Sequence, residues 1–127
     1  MPELNDFNLE TLIKFGEVER EVEPVAGLKI TLRTLSEDEK TAAYAKVGAI
    51  PGEANILVRM QILKIPLLAL AIKTIGGKEI ATDESRDKLI EVLKKSQSYL
   101  IDAIYNEYER LVSDQVDIVK SGLKKNN

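Results

Sequence analysis

The chain has 127 residues and a net charge of −3 at pH 7, and it contains no histidine, cysteine or tryptophan. The lack of histidine and cysteine removes the commonest proton-transfer group near neutral pH, the reactive thiol and the usual transition-metal ligands. An acidic chain also lacks the clustered basic surface that nucleic-acid phosphates require. We therefore expect a protein that is not an enzyme and that uses no cofactor and no nucleic-acid partner.

Residues 1–15 are predicted to form an amphipathic helical arm, which Gly16 ends. Their apolar side chains recur at loosely helical spacing. The acidic residues among the first ten argue against a secretory signal. Three apolar side chains of the arm are candidates for binding a partner: Leu4, Phe7 and Leu12.

A β-hairpin with one apolar and one charged face is predicted over residues 16–35. Val18 and Val22 alternate with glutamates, and after a turn at Pro24–Gly27 a second alternating segment follows, with Ile30 and Leu32 on its apolar face. The glutamates form an acidic face: Glu17, Glu19, Glu21 and Glu23. This face can bind a basic partner or a hard cation, or it can pair with basic residues across the hairpin and discourage edge-to-edge association.

Two helices are predicted after the hairpin. The first begins at Ser36, whose hydroxyl can accept from the backbone three residues on while Glu39 reaches back, and it continues to about Val47. The second, over residues 53–75, is apolar nearly all round, which indicates a central helix or one partly covered by a partner. Pro66 should kink this helix or open a new one.

The remaining chain is predicted to contain a glycine turn and two further helices. Gly76 and Gly77 form the turn, and Lys78–Ala81 can add a third strand to the hairpin. One helix begins at Thr82 or Asp83, and the last runs from about Tyr99 to Ser121. Gly122 should end it, so that residues 122–127 form a frayed tail.

These elements predict one domain over residues 1–127, of α+β class and mostly helical. A small antiparallel hairpin, two- or three-stranded, packs on a bundle of four to five helices in residues 36–121. The longest apolar run, Ile65–Ile72, is too short to span a bilayer, so we expect no membrane partner.

The last helix carries a cluster that is either a binding surface or part of the core. Tyrosine offers a large contact area with a polar tip and is enriched at interfaces. The candidate partner-binding residues here are Tyr105, Tyr108, Leu111 and Val112. The chain also has carboxylate pairs, but they fall on predicted solvent faces, where acid–base catalysis is not expected. An all-carboxylate metal site stays open as an alternative.

Three segments occur in a characteristic order. A strand from Gly27 leads through Arg33–Ser36 into an acidic helix start, an apolar helix then ends at Ile75–Lys78, and the last segment is Leu100–Tyr108. This order, over roughly residues 16–110, resembles small tail-assembly and baseplate-associated proteins of tailed bacteriophages.

The resemblance implies a non-enzymatic role. Some proteins of this kind shield a long helical tape-measure protein while the tail tube polymerises, and others are permanent structural subunits of the tail or baseplate. The expected partners are other tail proteins (tape measure, tube or baseplate components) or a second copy of the chain. The expected location is the host cytoplasm during assembly, or the virion. A cellular helical adaptor and a small ligand- or metal-binding domain are the alternatives.

Overall fold

A computed structural model describes residues 12, 15–45 and 56–125 of the chain. The elements in this part of the chain are, in order, β1 (Glu19–Val25), β2 (Leu28–Arg33), α1 (Glu37–Ala45), α2 (Ile56–Ala71), β3 (Ile72–Ile75), β4 (Lys78–Glu79), α3 (Asp83–Lys95) and α4 (Ser98–Lys125). The fold is α+β and mostly helical, with an antiparallel sheet packed on helices, which confirms the predicted class.

The predicted hairpin is formed by β1 and β2. The strands pair in antiparallel register, with Val22 opposite Ile30, and the register shifts between Val22 and Val25. Val22, Ile30 and Leu32 are buried, whereas the glutamates of β1 are exposed. Because side chains alternate between the faces of a strand, the period of two in the sequence becomes one buried and one solvated face of the sheet.

In the part of the chain that the structure describes, the sheet has four strands in the order β1-β2-β3-β4, which corrects two predictions. The central helix was expected to continue to residue 75, but the chain leaves it after Ala71, and Ile72–Ile75 pairs with β2. The strand near Lys78 pairs with β3 rather than with the hairpin. The β-branched residues of β3 favour a strand, and the available edge of β2 supplies its hydrogen-bonding partner.

Gly76 and Gly77 form the two-residue turn between β3 and β4. Both have positive φ, 57° and 83°, as a turn of type I′ requires at its central residues. An L side chain at either position would be strained, which explains the glycine pair in structural terms.

Both predicted helix starts are confirmed. The Glu39 N–H donates to Ser36 Oγ at 3.3 Å, and the Ser36 N–H donates to Glu39 Oε1 at 3.0 Å, so a reciprocal capping box begins α1. Thr82 caps α3 in the same way, with Ser85 as its partner. Ser96 and Gln97 separate α3 from α4, in line with the weak helical pattern there.

The core lies where the second half of α2 meets the sheet and the other helices. Leu67, Leu68, Ala69 and Ala71 are each at most 5% exposed, and α2 contacts α1, α3 and α4. Pro66 lies inside α2 and is buried, so it does not open a new helix. The all-round apolarity of this half of α2 is therefore explained by burial on several sides.

The last helix, α4, crosses the hairpin and contacts β1, β2 and α2. Its buried face carries Ile101, Ile104, Tyr108 and Leu111, spaced by three or four residues. The helix begins at Ser98 and continues to Lys125, which corrects the predicted end at Ser121 and the frayed tail from residue 122. A glycine within a helix costs only about 1 kcal/mol relative to alanine, so Gly122 does not force the helix to end.

Candidate functional site

The described residues neutralise part of the acidic face of the hairpin. Lys73 Nζ lies 2.8 Å from Glu19 Oε2, and Arg33 lies 3.6 Å from Glu17. Glu21 and Glu23 are exposed and form no ion pair with the described residues. Pairing across the hairpin therefore accounts for Glu17. The cation at Glu19 comes from β3, two strands away from β1, and no pattern in the sequence predicted that strand.

Arg33 and Glu39 form a bidentate ion pair that joins β2 to α1. Arg33 Nη1 donates to Glu39 Oε1 at 3.0 Å, and Nη2 donates to Oε2. The hydrogen bond from Arg33 lowers the pKa of Glu39 to about 2, and the same bond raises the pKa of Arg33. Both side chains line an open cleft of about 470 Å³, together with Lys73 and Arg86. Because its Arg33, Glu39 and Lys73 are already paired, the cleft offers a ligand few unsatisfied groups.

The Arg33–Glu39 pair should make stability depend on pH in the acid range. Because the pKa of Glu39 is lowered from 4.5 to about 2, its contribution is present above about pH 4.5 and is lost as the pH falls towards about 2. Urea unfolding across this range should show that Glu39→Gln flattens the acid dependence. The control is Glu37→Gln, whose side chain is 92% exposed. Equal acid dependence in Glu39→Gln and the parent protein would contradict this assignment.

The structure divides the predicted cluster on the last helix. Tyr108 is 5% exposed and Leu111 is fully buried, which corrects their assignment to a partner-binding surface. Burial also raises the pKa of Tyr108 to about 12. The faces of these two side chains are already covered by the sheet and neighbouring helices, so a partner cannot reach them in the folded protein. Val112, at 39% exposed, and the half-buried Tyr105 stay candidates.

Tyr105 belongs to a polar contact between α2 and α4. Lys64 Nζ lies 4.9 Å from the centre of the Tyr105 ring and 3.2 Å from Asp102 Oδ1. Gln61 Nε2 donates to the same Asp102 oxygen at 3.2 Å. The hydrogen bonds from Gln61 and Lys64 lower the pKa of Asp102. These contacts fix how the first half of α2 lies against α4.

Of the candidates in the N-terminal arm, Leu4 and Phe7 lie outside the described residues. Leu12 is described and is 57% exposed. Four residues further on, Gly16 is held against α4, because Gln115 Nε2 donates to its carbonyl at 2.8 Å. Leu12 therefore stays a candidate, close in sequence to a point that α4 anchors.

An exposed apolar surface on the first half of α2 was not among the predicted site residues. We call it the α2 apolar end. Its side chains are 41% to 74% exposed, although the second half of the same helix is core. It comprises Leu57, Val58, Met60 and Ile62. The signal in the sequence was the all-round apolarity of the segment, but periodicity cannot show which half of such a helix the rest of the protein covers.

Within residues 15–45 and 56–125, no three acidic side chains are grouped so that they could hold a metal ion. In the same ranges no helix has the length and apolarity needed to cross a bilayer.

No protein-family model, curated protein or solved structure matches this chain. Its function is therefore inferred from the surfaces described above.

Proposed function

We propose that this protein is a non-enzymatic assembly factor of a bacteriophage tail or baseplate and that it works by binding another protein. The observation that carries the binding part is the α2 apolar end, where four large apolar side chains within six residues are exposed. Large exposed apolar side chains grouped near one end of a helix are a feature of protein-interaction sites. The resemblance over roughly residues 16–110 supports the bacteriophage part.

The α2 apolar end is presented by a helix that the core holds in place. The second half of α2 is buried among α1, α3 and α4, and Lys64 and Gln61 tie the first half to α4. A surface that is already ordered loses little conformational entropy on binding. Covering each half-exposed side chain contributes on the order of 1 kcal/mol, so the surface as a whole can hold a partner reversibly.

In this proposal the partner offers an apolar helical surface, such as that of a tape-measure protein. The α2 apolar end covers that surface until tail assembly buries it elsewhere. An apolar helix laid along another exposed helix is a common recognition mode, and its affinity comes from a few apolar anchors.

A permanent structural subunit of the tail or baseplate is the second candidate. A separate pair of exposed apolar side chains in the C-terminal half of α4 favours it, since Val112 and Val116, one turn apart, are 39% and 57% exposed. Two apolar surfaces allow one subunit to contact two neighbours in a finished particle.

The test uses the double variant Leu57→Ser with Met60→Ser and the control Val92→Ser, whose site on α3 is 55% exposed. Each tagged protein is expressed during phage production, and co-purifying proteins are identified by mass spectrometry in lysate and in finished particles. We expect the parent and the control to retain a long helical tail protein that the double variant loses, with equal thermal stability in all three.

Recovery from lysate but not from particles supports the assembly factor, whereas a fixed copy number in particles supports the structural subunit. Equal recovery of the partner by the double variant and the control would exclude the α2 apolar end as the binding surface. Recovery of no tail protein by any of the three would overturn the bacteriophage assignment.

A further inference from the structure

The first strand lies at an edge of the described sheet, and we call its outer side the open edge of β1. β1 pairs with β2 on one side, and no described strand pairs with its other side. The Thr34 N–H donates to the Val18 carbonyl at 3.0 Å. Because hydrogen-bonded and non-hydrogen-bonded pairs alternate in an antiparallel ladder, Arg20 and Val22 also direct their backbone groups towards β2. Glu19 and Glu21 therefore direct their N–H and C=O groups outwards, where a further strand can bind them.

The C-terminal part of α4 lies over β1, next to this edge. Arg20 Nη1 lies 3.0 Å from Asp114 Oδ2, which places α4 over β1. A cleft of about 440 Å³ opens beside this ion pair. It is lined by one sheet residue and five residues of α4: Arg20, Asp114, Asp117, Ile118, Ser121 and Gly122. Ile118 is 40% exposed and supplies apolar surface to this cleft.

The opposite side of the edge is acidic. Glu21 and Glu23 are exposed there, and they follow Glu19 on the same face of β1. A second copy of β1 would bring like charges together and would be disfavoured. In a strand that pairs with β1, the residues opposite Glu19 and Glu21 place their side chains beside these carboxylates. Lysine or arginine at those positions gives favourable cross-strand pairs.

We propose that the open edge of β1 binds an extended segment of a partner protein in which basic and apolar residues alternate. The backbone of the segment extends the sheet. Its basic side chains lie beside Glu19, Glu21 and Glu23, and its apolar side chains face the C-terminal part of α4 at Ile118. The open edge supplies the affinity and the glutamates select the partner, as in other complexes where a peptide adds a strand. This surface is separate from the α2 apolar end and does not depend on the proposed function.

The first experiment compares two labelled peptides by fluorescence anisotropy on the full chain. One alternates lysine and valine, and the other has the same composition with all lysines before all valines. Only the alternating peptide matches the alternation of side chains along the edge. Both peptides carry the same charge, so a difference in affinity reports this match rather than charge attraction. We expect it to bind about tenfold more tightly. Equal binding of the two peptides, or no binding of either, would overturn the proposal.

Variants then separate an added strand from simple charge attraction. Glu21→Pro removes one outward N–H without removing a hydrogen bond to β2, because proline is tolerated at such edge positions. It should abolish the preference for the alternating peptide, whereas Glu21→Gln, which removes the same charge but keeps the N–H, should retain it. If Glu21→Pro does not fold, methylating the lysine backbone nitrogens of the alternating peptide removes, on the parent protein, the reciprocal hydrogen bond from a lysine N–H to the Glu21 carbonyl. Unchanged binding of the methylated peptide would show that no strand is added.

Charge is tested by Glu21→Lys with Glu23→Lys, which should weaken binding of the alternating peptide about tenfold. The control is Glu84→Lys with Glu91→Lys, which changes the net charge equally at exposed positions of α3. Equal weakening by both double variants would contradict a specific edge site. Leu57→Ser with Met60→Ser should leave peptide binding unchanged, so failure of this proposal is distinguishable from failure of the proposed function.

Discussion

Replacing Leu68 by alanine should lower the free energy of unfolding by about 3 kcal/mol or more. Leu68 is fully buried in the half of α2 that contacts three other helices. Removing its side chain forfeits apolar burial and leaves a cavity that close-packed neighbours fill only in part. This is a large share of the total stability of a small domain, which is about 5–15 kcal/mol.

The matched control for Leu68→Ala is Leu57→Ala in the same helix. Leu57 is 74% exposed, so its truncation should change the free energy of unfolding by no more than about 0.5 kcal/mol. Urea unfolding of both variants measures the difference directly. Similar losses at the two positions would show that the first half of α2 is packed as tightly as the second, which would contradict the exposure of the α2 apolar end.

Replacing Tyr108 by alanine should destabilise the protein by about 3–5 kcal/mol, the range found for large buried aromatic residues. Tyr108 lies on the buried face of α4, where it is 5% exposed and packs in the core. The neighbouring Tyr105 is half-buried, and its ring contacts Lys64 from outside the core. Tyr105→Ala should therefore cost only about 1 kcal/mol.

Thermal and urea unfolding of the two tyrosine variants separate core from surface. Equal, small losses would mean that Tyr108 is accessible and would restore it as a candidate for partner binding. A large loss at Tyr108 alone would support the structure and leave Tyr105 as the tyrosine of this pair that a partner can contact.

The predictions for Leu68 and Tyr108 bear on function because they show which side chains support the fold and which are exposed for a partner to contact. Variants at Leu57 and Met60 keep the core intact, so a loss of partner binding reports on the surface. Variants at Tyr108 or Leu111 disturb the core, so a loss of binding would reflect unfolding. Experiments on the predicted last-helix cluster as a unit would confuse these two effects.

Local chemistry was sufficient to predict several elements from the sequence. The alternation of Val18, Val22 and the glutamates specifies a two-faced strand, since side chains alternate with a period of two. Ser36 and Glu39 specify a helix start, because the capping box satisfies backbone donors within four residues of the chain. The glycine pair at 76–77 specifies a turn, because glycine readily adopts the positive φ that the central residues of a type I′ turn require.

The candidate sites depended on contacts between residues far apart in the chain. Tyr105 and Tyr108 have the same chemistry and lie one turn apart, but only Tyr108 is buried in the core, whereas Tyr105 packs against it and stays half-buried. The first and second halves of α2 are equally apolar, but only the second is covered. Lys73 neutralises Glu19 because β3 pairs with β2, which the apolar pattern of residues 53–75 concealed.

By itself, the sequence determined the fold class, the hairpin, the two capped helix starts and the lack of histidine and cysteine chemistry, since each of these follows from residue types over a few neighbouring positions. Only the tertiary structure decided which apolar side chains are core, which strand edge is open and which glutamates are paired. These properties depend on which distant segments meet, because burial and charge pairing arise from packing between elements rather than within them.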